Sequence, residues 1–203
     1  MDSLIYTFRN PSIEDANQLA RIHLTSFPNF FLSSLGLKFL ESFYRCIIIS
    51  PECIGTVLCI DNKVNGFAIG NAKNQGFYKE LIKRHFFELC FAGFSEIIKS
   101  PTKIIKMIKS VKSTKSIPQN LNSKPCLLSI CILPNMARKG AGTMLLKNFE
   151  FNLTENNFHS YFLTTDKNGN ESVNNFYLKN KFEIQFSFTQ GKNRKMNLYY
   201  KEI

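Results

Sequence analysis

The stretch Leu127-Leu-Ser-Ile-Cys-Ile-Leu-Pro-Asn-Met-Ala-Arg-Lys-Gly-Ala-Gly-Thr-Met-Leu-Leu-Lys147 decides how the rest of the chain is read. Residues 127–133 are apolar except for Ser129, the pattern of a strand buried on both faces. Pro134 removes a ladder donor and ends it. Beyond the turn, Leu145, Leu146, Phe149 and Leu153 recur at helical spacing and form one apolar face. Gly140 and Gly142 fall where that helix begins. The first N–H groups of a helix have no intrahelical partner, and the positive end of its dipole lies there. Glycines leave such an anion site open to close approach. A phosphate-bearing ligand is one reading; a plain strand–turn–helix connection with a solvated Arg138-Lys139 pair is the other, so a second signature is required.

It lies about 30 residues on, in Leu163-Thr-Thr-Asp-Lys-Asn-Gly-Asn170-Glu-Ser-Val173-Asn-Asn-Phe176-Tyr177-Leu-Lys-Asn-Lys181-Phe182, which reads as strand, polar loop, short helix and a further strand. The two stretches together resemble the GNAT superfamily of acetyl-CoA-dependent acetyltransferases. That family carries an apolar strand, Pro, then Arg/Gln-x-x-Gly-x-Gly/Ala heading a helix, and further along Asn-x-x-Ala-x-x-Phe-Tyr-x-x-x-Gly-Phe. Here Ala137-Arg138-Lys139-Gly140-Ala141-Gly142 supplies both glycines, with Ala137 where the family prefers Arg or Gln. Asn170, Val173, Phe176, Tyr177 and Phe182 fall at the second spacing, with Lys181 in place of the usual Gly. A non-Gly residue at positive φ is disfavoured, so Lys181 should strain or reshape that turn. Asn180 tolerates the conformation and is expected to take it over.

The resemblance implies an α/β chain of GNAT fold: a mixed, mostly antiparallel central sheet flanked by helices. By the same resemblance, the backbone of Arg138, Lys139, Gly140, Ala141, Gly142 and Thr143 would hold the coenzyme A pyrophosphate. The splayed strand at Ile130, Cys131 and Ile132 would pair with the pantetheine arm, the N–H at Ile132 polarising the acetyl carbonyl. Asn170 would hydrogen-bond the arm or cap its helix, and Tyr177 would protonate the leaving sulfur unless it is plain core. Some relatives place a Glu on the strand before Asn170 as base. This chain offers Asp166 there, a candidate base or a loop cap. The loop between the first two helices borders the acceptor in the family, so Phe27, Phe30 and Phe31 would wall the acceptor site, core packing being the alternative.

A narrower resemblance, to bacterial members associated with surface-polysaccharide clusters, rests on His23, Phe27-Pro, Phe31-Leu-Ser-Ser-Leu-Gly36, Gly66-Phe-Ala-Ile-Gly70, Gly76-Phe-Tyr, Leu163-Thr-Thr-Asp166 and Lys195-Met-Asn-Leu-Tyr199. The expected activity is direct acetyl transfer from acetyl-CoA to a primary amine of a small metabolite, with an amino-sugar nucleotide favoured. Acetylation of a protein or peptide amine, and a non-catalytic acyl-CoA-binding or membrane-surface module, are the alternatives.

Working outward, the 203 residues are 44% hydrophobic and 20% charged, which suits one globular domain over 1–203. The N-terminus lacks a basic, apolar leader and no apolar run reaches membrane-spanning length, so a cytoplasmic protein is expected. Six cysteines show no CxxC pair and no His at ligand spacing, and neither zinc nor any other metal is expected. Leu4–Arg9 reads as a strand and Ser12 with Asp15 as a helix start. A second helix carries Leu37, Phe39, Leu40, Phe43 and Tyr44, and Thr56–Ile60 with Val64–Gly70 reads as a hairpin around Asp61-Asn62.

Residues 72–125 then form a helical insertion ahead of the cofactor-binding strand. It holds 11 Lys and Arg against three Glu, so eight of the chain's eleven net positive charges. Helices are expected over Phe77–Ser100 and Thr102–Lys112, the latter basic and amphipathic. A solvated lysine face, a lid over an anionic acceptor and contact with an anionic membrane surface all fit. No aromatic-interleaved basic strand or recognition-helix pattern supports nucleic acid. A monomer or homodimer is expected, and Phe186–Tyr200 closes the chain as a hairpin.

Overall fold

The computed structural model describes residues 6–73, 76–99, 117–136, 140–191 and 193–203, with side chains 94–99 set aside. The strands are β1 (Thr7–Arg9), β2 (Cys53–Ile60), β3 (Lys63–Asn71), β4 (Cys126–Ile132), β5 (Ser160–Asp166), β6 (Glu183–Gln190) and β7 (Arg194–Glu202). The helices are α1 (Ala16–Ser26), α2 (Gly36–Ile48), α3 (Phe77–Lys99), α4 (Ala141–Glu155) and α5 (Glu171–Lys179). One seven-stranded sheet runs β1-β2-β3-β4-β5-β7-β6. Every junction is antiparallel except β4 with β5.

Local chemistry accounts for most of these elements. Arg9 donates two hydrogen bonds, at 2.6 and 2.7 Å, to the carboxylate of Asp15, which also accepts the Ser12 N–H at 2.7 Å. Burial works against ionisation of Asp15, but the Arg9 and Ser12 bonds outweigh it and hold its pKa below the usual carboxylate range. This ties β1 to the start of α1. Asp61 and Asn62 turn β2 into β3 with φ of 50° and 61°, the two-residue turn that asparagine and aspartate tolerate.

The sheet buries both faces. On one, α1 and α2 pack Leu19, Leu40 and Tyr44 against Phe67 and Ile69, and α3 adds Leu81 and Leu89. On the other, α4 and α5 pack Leu145, Phe149 and Tyr177 against Leu58, Ala68, Tyr161 and Tyr199. Gly70 sits where β3, β4 and α4 converge, since a Cβ there would lie 2.5 Å from the Cys126 carbonyl and 2.8 Å from Phe149 Cζ.

Two features depart from expectation. The apolar run at β4 reads as a fully buried strand, yet Leu128, Ser129, Ile130 and Ile132 are only half-buried. At the turn after α5, Asn180 stays at φ −92° and Lys181 itself takes φ 66°. The Lys181 N–H bonds to Leu178 O and the Phe182 N–H to Tyr177 O, with the Phe182 and Tyr177 rings 5.3 Å apart. That bond pair and ring contact are a Schellman cap, which fixes αL at position 181 rather than 180.

In the insertion, α3 kinks at His85 (φ −116°, ψ 23°). Phe87 and Phe91, one turn apart on it, are each 85% exposed and lend nothing to the core. The expected helix at 102–112 lies outside the described residues. No helix among the described residues is long and apolar enough to cross a membrane. All six cysteines are free thiols.

Candidate active site

The site begins at the one parallel junction. Between described residues, β4 and β5 share a single ladder pair, Cys126 with Phe162, reinforced by the Phe162 N–H on Pro125 O at 3.1 Å. Beyond it the strands diverge. A bulge contributes: Ile69 pairs with Ser129 and Gly70 with Leu127, so Leu128 is an extra residue in β4. Such a residue bends a strand and sharpens its twist.

The divergence opens a cavity of about 700 Å³. Its floor is β4 from Cys126 to Ile132, and Leu163, Thr164 and Thr165 of β5 form the facing edge. The residues left half-buried on β4 are therefore cavity wall.

At one end stands the start of α4. Gly140 takes φ 79° as its N-cap, and nothing lies within 4 Å of a Cβ built there. Gly142 has Phe176 Cε2 3.3 Å from the Cβ it lacks. Side chains at either position would fill the space over the first N–H groups of the helix, so the cradle fits a phosphate group held by backbone. Gly140, Gly142 and Thr143 line the cavity with Ile130, Cys131 and Ile132, while Ala141 is buried beneath. Arg138 and Lys139 lie outside the described residues.

α5 supplies the polar groups of the facing wall. Asn170 lines the cavity, but its side chain does not cap α5. Its Nδ2 instead donates to Thr165 Oγ1 at 2.9 Å and to the Asp166 carbonyl at 3.2 Å, holding the end of β5 against the helix. Tyr177 is buried among aromatic rings on the same wall. Its hydroxyl has no hydrogen-bond partner among the described residues. Burial, with buried Cys131 and Tyr199 nearby, pushes its pKa well above the ordinary phenol value, so it carries its proton at neutral pH.

Asp166 is not in the cavity wall. It accepts a bidentate pair from Arg194, at 2.6 and 2.8 Å, and its backbone carbonyl receives Asn170 and Asn174. A carboxylate paired with a guanidinium and lying outside the wall is not presented to a ligand in the cavity. Arg194 does reach the cavity, with its guanidinium 5.9 Å over the ring of Phe30.

The opposite end is apolar. Phe27, Phe30 and Phe31 line it, joined by Phe39 and Phe43 of α2 and Tyr78 of α3. Sequence reasoning missed the contributions of β6 and β7, Phe188 and Met196, because the crossing of those strands toward β4 is a tertiary event. It also missed His23, which lies in the wall with Nδ1 2.6 Å from the Tyr44 hydroxyl. The available signal was a polar ring in the apolar stripe Leu19, Ile22, His23 of α1.

Away from the cavity, Cys46 Sγ stands 3.9 Å and His85 Nδ1 3.4 Å from Glu88 Oε2. No sequence spacing announces this trio, because α2 and α3 meet only in the fold. An imidazole–carboxylate contact one turn apart on α3 and a thiol hydrogen bond account for it.

Residues 115–182 match the Acetyltransferase (GNAT) family. That segment carries β4, the glycine cradle and α5. The chain has the GNAT fold. No curated protein matches it, but solved structures do over nearly their whole length. The PaiA N-acetyltransferase from Thermoplasma acidophilum, in complex with coenzyme A, superimposes with TM-score 0.59 at 15% identity, over 98% of this chain and 100% of that one. The ribosomal-protein-S18-alanine N-acetyltransferase from Escherichia coli gives 0.59 at 13%, covering 98% and 94%. The polyamine N-acetyltransferase of Drosophila melanogaster gives 0.60 at 8%, covering 98% and 100%. Such identities speak to the GNAT fold alone, and the two names that specify an acceptor, a ribosomal-protein alanine and a polyamine, differ.

Proposed function

We propose that this chain is a GNAT N-acetyltransferase that moves an acetyl group from acetyl-CoA directly to a primary amine of a small molecule. The carrying observation is the β4–β5 divergence, which opens one cavity lined by the free edge of β4, the glycine cradle and Tyr177. When bound, acetyl-CoA supplies the activated thioester. The residues of this chain do the rest. Backbone N–H groups at the start of α4 hold the pyrophosphate, the free edge of β4 at Ile130 to Ile132 aligns the pantetheine arm, and Asn170 braces the facing wall. Tyr177 gives its proton to the departing sulfur, a role that a buried, protonated and otherwise unpartnered phenol suits.

The residues offered to the acceptor decide between its candidates. A cationic polyamine calls for carboxylates, and among the described residues no Asp or Glu lines the cavity. A sugar nucleotide calls for dense polar lining, and the wall at Phe27, Phe30 and Phe31 is aromatic. An amine carried on an apolar body fits both facts best.

Thermal unfolding with millimolar acetyl-CoA or desulfo-coenzyme A tests the reading. A ligand at ~100 times its Kd adds roughly 2.7 kcal/mol of stability, so both compounds should raise the midpoint clearly. No shift with either would remove the proposed activity, since a chain that does not hold the donor cannot transfer its acetyl group.

A further inference from the structure

We propose that His23 is the general base, taking the acceptor amine's proton on Nε2 while Tyr44 fixes the opposite ring nitrogen; this rests on the acetyltransferase reading above. Direct transfer needs a group to receive that proton, and Asp166 is committed to Arg194 outside the wall.

The titratable groups that do line the cavity narrow the choice. Tyr78 and Tyr177 are phenols that burial keeps protonated, Cys126 and Cys131 are thiols that burial keeps protonated, and the guanidinium of Arg194 offers donors only. His23 is left, and it is 95% removed from solvent, at 5% relative exposure.

Its two nitrogens are not equivalent. Nδ1 is 2.6 Å from the Tyr44 hydroxyl, and that hydroxyl lies 3.5 Å from Ser129 Oγ on β4. Nε2 is buried with no hydrogen-bond partner among the described residues. If Nδ1–H donates to Tyr44 oxygen and the Tyr44 hydroxyl donates to Ser129, the bare lone pair is on Nε2. A buried polar atom left unpaired is destabilising, and an amine N–H at this wall would relieve it. The arrangement of base and orienting hydroxyl follows the general logic by which a third group fixes an imidazole.

Protonation state agrees. Desolvation alone lowers the imidazole pKa to about 4, so the ring is neutral at pH 7. The groups around it are uncharged there too: Tyr44 of α2 touches it, and Cys131 of β4 and Tyr78 of α3 act on Tyr44. A base this weak is sufficient for the step. The amine lone pair forms the new C–N bond, and the nitrogen becomes positive and its N–H strongly acidic. Nε2 takes that proton; the C–S bond breaks with its electron pair going to sulfur, which receives the Tyr177 proton. Transfer of the His23 proton back to Tyr177 through water restores both residues, and the net products are the amide and the free thiol.

The first test reads the wild-type protein without any ligand. Nitrogen-15 NMR of labelled histidine should show His23 at neutral pH as the Nδ1–H tautomer with an unprotonated Nε2. Finding the proton on Nε2 would overturn the proposal, because that atom could then accept nothing. The second test uses phenethylamine as the probe amine in a thiol-release assay, with acetyl-CoA-induced thermal stabilisation measured in parallel. His23→Gln should lose about 100-fold or more in kcat while acetyl-CoA stabilises it as much as the wild type. Turnover within threefold of wild type would overturn the base assignment and leave the acetyltransferase reading standing. A wild type that acetyl-CoA does not stabilise would instead remove that reading, whatever the tautomer.

Discussion

The two ends of the cavity are built from different material. At the α4 end the important groups are main-chain N–H donors and the absence of side chains at Gly140 and Gly142. At the α1–α2 end they are side chains: three phenylalanines, and His23 held by Tyr44. A backbone site can be copied between very different sequences provided its glycines stay, whereas a side-chain site changes whenever the acceptor does. The comparisons behave in the same way, since the family match over 115–182 covers the first end and stops short of the second.

The largest effect expected from this contrast is a pH dependence at the side-chain end. Unfolded histidine titrates near 6.5, and folded His23 near 4. Between those values the unfolded chain binds a proton that the folded chain does not, so stability must fall as pH falls through that window. The difference corresponds to about 3 kcal/mol. Urea unfolding at pH 7 and pH 4 should show His23→Gln losing less stability than wild type by an amount of that order. Equal losses would mean that His23 is not desolvated as described, and the acceptor end would need rebuilding.

Next comes Tyr177, where the two ends meet. Tyr177→Phe should lower kcat by about 100-fold with acetyl-CoA affinity unchanged, the behaviour of an interaction made only as the sulfur departs. Isothermal titration beside steady-state kinetics separates the alternatives. Unchanged turnover would make Tyr177 a core residue, which its packing against Phe176, Phe182 and Tyr199 allows.

A smaller effect should mark the backbone end. Gly142→Val places atoms against Phe176 and over the first N–H groups of α4, so acetyl-CoA affinity should drop by roughly tenfold while the unfolding midpoint barely moves. Affinity retained at the wild-type level would relocate the phosphate away from α4.

The same contrast explains what the residues revealed in advance. The strand, the Pro stop, the glycines and the Asn170-to-Phe182 spacing are local and periodic, so the fold and the places of β4, the glycine turn and α5 were legible. His23 was not, because its partner Tyr44 is 21 residues away, and Ser129, which Tyr44 reaches in turn, is 85 residues beyond that; they meet only after α1, α2 and β4 pack. Asp166 was misleading for a related reason. It stands at the end of β5 as a strand-end base would, but Arg194 reaches it across 28 residues from β7.

Lys181 gives the smallest expected effect and the cleanest separation of fold from function. Its φ of 66° is imposed from both sides: the Phe182 N–H bonds back to Tyr177 O, and the Phe182 ring is held against Tyr177 and Tyr161. Asn180 cannot relieve it, because its own N–H bonds to Phe176 O and Tyr177 O within the last turn of α5 and its side chain donates to Phe176 O. The left-handed conformation costs an L-residue about 1–2 kcal/mol, whereas glycine escapes that cost and gives back part of it through the greater freedom of its unfolded chain. Lys181→Gly should therefore raise stability by about 1 kcal/mol or less, read as a higher urea midpoint with unchanged slope. The cap positions α5 through backbone bonds that glycine makes equally well, so kcat should stay at the wild-type value. A gain in stability accompanied by lost turnover would show instead that strain at this turn sets the height of Tyr177 in the cavity wall, and the two ends would then be mechanically coupled through α5.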